Sequence, residues 1–197
     1  MINVAQIIGN SLVNGPGQRV VIWLQGCNIG CSGCYNTDLW SDKVKSLYSP
    51  HKLFNEVMEL VDDETQGITI SGGEPTQQNL IDFLKLVNET HLDVIMFTGR
   101  YYEDIIESHK DMLSMVDLLI AGPYIESKNL GLKPLLGSAN QQIIYLTDRI
   151  SKEEVLKYAG IFEVTITDSE IMISGFPDKD MLIFGEKLTE NRSTSTQ

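Results

Sequence analysis

Apolar and polar positions follow two rhythms along this chain, and the switches between them mark out the elements. Residues 19–25 (RVVIWLQ) are a nearly unbroken β-rich apolar run after the turn signal Asn14-Gly15-Pro16-Gly17, which predicts a strand. Leu53, Phe54, Val57, Met58 and Val61 then recur at helical spacing and predict a helix over 50–61. A short strand is expected over 67–71, then a helix over 77–88 with Leu80, Phe83, Leu84 and Val87 on one face. The alternation goes on with a strand over 93–97, a helix over 101–115, and strands over 116–121 and 142–146.

Short apolar strands separated by helical stretches indicate βαβ units, so the expected class is α/β with a mainly parallel sheet. The units are too few to close an eight-fold barrel, which takes about 250 residues. A partial, open β/α barrel is the expectation. Ser151 and Glu154 have the spacing of a capping box for a last helix ending at Ala159. Residues 161–167 and 170–174, joined at Asp168-Ser169, read as a small C-terminal β-hairpin with no chemical role evident. One domain over 1–185 is expected, with a core at about 13–146 and the last helix and hairpin over 151–175. The polar, non-periodic stretch 186–197 is expected to be a disordered tail.

Composition narrows the function classes. Hydrophobic residues make up 42% of the 197 and charged ones 21%, the balance of a globular protein with a real core. No apolar run approaches the ~20 residues of a membrane-spanning helix, and Met1-Ile2-Asn3-Val4 lacks signal-peptide features. Cytoplasmic localisation is the expectation, with no membrane partner. The formal net charge of −12, with Lys and Arg scattered, also argues against nucleic acid as a partner. Trp23, Trp40, Met112 and Met115 read as packing residues, and the three histidines as surface.

The three cysteines change the picture, because Cys27, Cys31 and Cys34 all fall within eight residues, directly after the first predicted strand. An odd count at that spacing is a poor disulfide framework and suits a reducing compartment. Glycines at 26, 30 and 33 let the backbone curl so that three sulfurs can converge. Three thiolates suit an iron–sulfur cubane, leaving one of its four irons open to a small chelating molecule. Structural zinc is the alternative, but it would want a fourth ligand, and the nearest histidine is the distant His51. A Cys31–Cys34 dithiol redox site would leave Cys27 unexplained.

The spacing Cys-x3-Cys-x2-Cys resembles the signature of the radical S-adenosylmethionine (SAM) superfamily. The longer run from Val13 to Trp40 resembles the activating enzymes of glycyl-radical enzymes. Within these, Gly33-Cys34-Tyr35-Asn36 is most similar to the activators of anaerobic (class III) ribonucleotide reductase. Gly72-Gly73-Glu74-Pro75 follows a predicted strand and matches the superfamily's second motif, which contacts the amino group of SAM. The physics agrees, since glycines admit close backbone approach and Glu74 adds an anionic environment for an ammonium.

The resemblance implies one [4Fe–4S] cluster on Cys27, Cys31 and Cys34. It also implies SAM held by Gly72, Gly73 and Glu74, with Gly33 and Tyr35 near the adenine. Thr98-Gly99-Arg100 and Gly122-Pro123-Tyr124 resemble further SAM-lining segments, so Thr98 and Gly122 join the candidates. Residues 137–141 resemble another family segment, without an assigned role. The implied chemistry is reductive cleavage of SAM to a 5′-deoxyadenosyl radical, with no side chain required as acid or base. The implied partners are a glycyl-radical enzyme, foremost anaerobic ribonucleotide reductase, and an electron donor such as flavodoxin or ferredoxin. Two readings stand beside the activase: radical chemistry on a peptide or small molecule, and a non-catalytic iron–sulfur electron carrier.

Overall fold

The computed structural model describes residues 1–131, 133–166 and 171–175. The expected turn at Asp168-Ser169 and the expected tail at 186–197 lie outside the described residues. Nine strands and five α-helices are assigned among those described. The chain opens with β1 (Ile2–Ser11), which pairs antiparallel with β2 (Gln18–Leu24). Two further strands follow: β3 (Ser46–Tyr48), an edge strand on β1, and β4 (Thr65–Gly72), parallel to β2. Next come β5 (Asp93–Thr98), β6 (Leu118–Ala121) and β7 (Gln142–Tyr145). They complete one sheet in the order β3-β1-β2-β4-β5-β6-β7.

The expected parallel character holds at the centre, where β2, β4, β5 and β6 are joined by parallel pairing. The flanks differ. β7 runs antiparallel to β6, because among its described residues the connection between them contains only a 3-10 turn at Glu126–Lys128 and no crossover helix. The fold is therefore mixed α/β about a parallel centre. β1 and β3 were not expected from sequence. In β1 only Ile2, Val4 and Ser11 are buried, so neither rhythm is carried far along the strand.

Both faces of the central strands are buried, which is why their sequences read as unbroken apolar runs. One face carries Val20, Ile22, Leu24, Ile68, Ile70, Val94 and Met96 against two helices, α1 (Pro50–Glu59) and α2 (Ile81–Asn88). Leu53 and Val57 project from the first helix, and Phe83, Leu84 and Val87 from the second. Ser49 caps α1 by accepting from the Lys52 N–H at 3.2 Å, and Pro50 opens the helix where its missing N–H costs nothing.

All four predicted helices are shorter in the structure: the first ends at Glu59 and the last at Lys157, and the middle two are cut for local reasons. The Gln78 side chain ties β1 to the end of β2, accepting from Asn3 N and donating to Gln25 O, and its backbone is extended. The helix therefore starts at Ile81. The expected helix over 101–115 splits into α3 (Tyr102–Ile105) and α4 (Lys110–Leu113). His109 sits between them out of helical geometry, its ring bonded to Ser108 Oγ and Thr76 O, so this histidine is not a bare surface residue.

The opposite, concave face carries Ile95, Leu118 and Ile120, packed with Leu135 and Ile150 and edged by Phe97, Val155 and Tyr158. Val155 belongs to α5 (Lys152–Lys157), which has the capping box expected at Ser151 and Glu154. A separate two-stranded hairpin follows, β8 (Phe162–Ile166) and β9 (Ile171–Gly175). At the base of the concave face Arg19 is fully buried. It donates to Thr69 Oγ1 at 2.7 Å, Ile68 O at 2.8 Å and Pro16 O at 3.0 Å, and pairs with Asp93. Burial pulls the guanidinium pKa down and pushes the Asp93 carboxyl up, while their attraction opposes both shifts.

Candidate functional site

β2 ends at Leu24, and the chain then turns away from the sheet into the cysteine loop. The loop is laced at its base: Gly26 N donates to Leu39 O at 2.8 Å and Cys27 N to Trp40 O at 3.1 Å. Gln25 Nε2 adds a bond to Ser41 O at 2.7 Å. Within the loop Cys34 N donates to Cys31 O at 3.1 Å, closing a turn that brings the last two cysteines back toward each other. Gly26, Gly30 and Gly33 all have positive φ, so the curl asks of the backbone what glycine supplies without strain.

All three cysteines are free thiols, half-buried, and they line one cavity of about 240 Å³. Burial pushes the Cys31 thiol pKa up, the Tyr124 backbone N–H opposes this, and nearby Cys34 and Cys27 push it further. Three thiolates suit an iron–sulfur cubane, which takes its cysteine ligands on separate irons. The donor set, three thiols on one wall, fits the cubane.

The second wall is the turn after β4. Gly73 N donates to Leu24 O and Glu74 N to Gly26 O, each at 2.8 Å, so this turn is stitched to the root of the cysteine loop. The close approach that Gly73 permits is thus taken up by Gly26, onto whose carbonyl a Cβ would land. Glu74 is only 1% exposed, although it lines the cavity. Its Oε1 accepts from Thr76 N at 3.0 Å, Thr76 Oγ1 at 2.8 Å and Thr98 Oγ1 at 2.7 Å, and its Oε2 accepts from Gly99 N at 2.8 Å. The carboxylate therefore binds the turn after β4 to the turn after β5. It lends the cavity negative field more than a free ligand atom.

Thr98, Gly122 and Tyr35 also line the cavity, and the Tyr35 and Tyr124 rings, both in its lining, stand 6.0 Å apart. Gly33 is not among the lining residues; a Cβ there would face the Glu126 side chain. Every other residue expected at the site is brought to this one cavity. Sequence reasoning missed several more. Trp23 lines the cavity although it reads as a packing residue, because alternation along β2 puts it on the concave face with Arg19 and Val21. Asn14, Phe97 and Ile120 line it too, and so do Ile173, Ser174 and Gly175 of β9.

Comparison with known proteins agrees with this geometry. The 4Fe-4S single cluster domain family matches residues 13–144. The anaerobic ribonucleoside-triphosphate reductase-activating protein of Enterobacteria phage T4 is 34% identical over 160 residues, which are 77% of this chain and 99% of that protein. The protein of the same name from Haemophilus influenzae is 31% identical, over 72% of this chain and 96% of its own length. The pyruvate formate-lyase-activating enzyme of Streptococcus mutans is 29% identical over 89% of this chain and 70% of its own. The matched span encloses every lining residue of the cavity except those of β9. The chain therefore belongs to the 4Fe-4S single cluster domain family, alongside the anaerobic ribonucleoside-triphosphate reductase-activating proteins.

Proposed function

We propose that this chain is a radical SAM activase that installs a glycyl radical on an anaerobic ribonucleoside-triphosphate reductase. The observation that carries it is the meeting of three free thiols and the Gly72–Glu74 turn on one cavity, within the span shared with activating proteins. When bound, the cluster supplies one electron that breaks the sulfonium C–S bond of SAM, giving a carbon radical able to take hydrogen from a glycine Cα.

The chain's own residues hold and orient. Cys27, Cys31 and Cys34 would ligate three irons and leave the fourth for SAM. Gly72 and Gly73 offer backbone groups to its amino acid part, while Glu74 keeps the turns after β4 and β5 at fixed separation. Trp23 and Phe97 give the cavity apolar surface that excludes water, and Tyr35 and Gly122 line it beside them. No side chain acts as an acid or base. The sheet is read as a partial, open β/α barrel whose open side admits a loop of the partner, and a flavodoxin or ferredoxin as its reductant.

The test mixes reconstituted protein, SAM, a strong reductant and anaerobic ribonucleotide reductase without oxygen. A doublet EPR signal of a glycyl radical should appear on the reductase, and air should then cut the reductase chain at that glycine. Absence of both, with SAM still cleaved to 5′-deoxyadenosine, would refute the activase and leave a radical SAM enzyme of another substrate.

A further inference from the structure

The C-terminal hairpin lies beyond the family-matched span, yet it supplies part of the cavity wall. How it is held is informative. Three polar contacts reach from the C-terminal segment to the loop between β1 and β2. Gly15 N donates to Tyr158 Oη at 3.2 Å, Leu12 N to Glu163 Oε2 at 3.1 Å, and Asn14 Nδ2 to Ser174 Oγ at 2.6 Å. The last pair is buried, and Asn14 Nδ2 also donates to Ser11 Oγ at 2.8 Å. Burial pushes the Tyr158 hydroxyl pKa up to about 12, so it stays a neutral phenol. At Gly160 the segment presses on the same loop so closely that a Cβ would collide with the Leu12 carbonyl and the Tyr158 hydroxyl.

The gripped loop precedes β2, whereas the thiols follow it. Asn14 O accepts from Thr69 Oγ1 at 2.8 Å, and Thr69 lies opposite Val21, three residues before the end of β2, so the loop tucks beneath mid-strand, about 10 Å below the end that carries the thiols. Asn14, the thiols, Ile173, Ser174 and Gly175 line the same cavity, so the hairpin walls it on the side of the gripped loop. Ile173 also lines a second cavity with Gln25, Tyr35 and Asn36, so the hairpin reaches from Asn14 toward the root of the cysteine loop. Ile120 and Leu135 are apolar members of the same lining, and Asn14 with Ser174 forms a buried polar pair in it.

We propose that residues 158–166 together with β9 (171–175) form a clasp that closes one side of the SAM cavity, with Asn14 and Ser174 as the positioning pair. This rests on the SAM reading above. The thiols would hold the cluster, and the clasp sets how tightly the SAM beside it is held. Ser174 is a positioning residue and takes no part in bond breaking.

The test uses the full-length, cluster-loaded protein and two variants, Ser174→Ala and Gly160→Val. Iron and sulfide content should match wild type in both, because the three thiols are left in place. The dissociation constant for radiolabelled SAM, measured by equilibrium dialysis without reductant, should rise about fivefold in S174A, the scale of one lost hydrogen bond. The rise in G160V should be larger, since the whole segment is unseated. In wild type, SAM should slow chymotryptic cleavage after Tyr158 and Phe162. An unchanged dissociation constant in S174A, or cleavage that SAM does not slow, overturns the clasp and leaves the SAM reading standing. Wild-type protein with a full cluster and no SAM binding overturns both.

Discussion

Gly73 shows how one position couples the two halves of the site. Its backbone is not left-handed, so glycine is required there by crowding alone. The crowding group is the carbonyl of Gly26, the residue before the first thiol, and that carbonyl also accepts from Glu74 N. Gly73→Ala should therefore push the root of the cysteine loop outward, at about 1–3 kcal/mol of local stability. Gly30→Ala is the contrast. Its φ is +66°, but a Cβ there meets nothing within 4 Å, so the cost is backbone strain of about 1 kcal/mol. Iron and sulfide assays after anaerobic reconstitution should show G73A losing much of its cluster as well as SAM affinity, and G30A losing less. Full iron in G73A with only SAM binding reduced would mean that the two turns move independently.

The Arg19–Asp93 pair ties β2, β4 and β5 together beneath the cavity. Gly67 leaves the room, since a Cβ there would strike both Asp93 Oδ1 and Arg19 Nη2. Removing one partner strands a buried charge, so Asp93→Ala should destabilise by about 3–5 kcal/mol, read from denaturant melts. Arg19→Met together with Asp93→Leu should recover most of that loss, since neither charge of the pair is then stranded; equal loss in the double variant would contradict the account. Such pairings also mark the limit of what the sequence discloses. The Arg19 run reads as a strand because both faces of β2 are buried, and α1 is legible because its apolar residues, Leu53 and Val57 among them, fall on one face. The thiols are legible because their ligand set is local. β1 escapes because burial along it is patchy, and the break between α3 and α4 because it depends on His109 reaching Thr76. Trp23 needs the concave face to be known. The Asn14–Ser174 pair joins residues 160 apart, beyond any local pattern.

Across the whole molecule, the cysteine loop and the core are nearly separate. The two buried apolar clusters, one on each face of the sheet, contain none of the three cysteines. The cysteine loop instead hangs from the strand ends by a few backbone bonds, with Cys27, Cys31 and Cys34 only half-buried. In small zinc domains the metal supplies the folding free energy, so chelation unfolds them. Here the sheet and the α1–α2 layer bury enough apolar surface to fold without a metal. Cluster removal by a chelator and oxidant should therefore leave the far-UV circular dichroism and the cooperative thermal transition in place. A ligand that binds only the native state still raises its stability by mass action, so the apoprotein should melt a few degrees lower. The loss should be local, appearing as faster proteolysis between residues 27 and 43, where Lys43 offers trypsin an exposed site. Global loss of structure on cluster removal would show instead that the cysteine loop is part of the folding core.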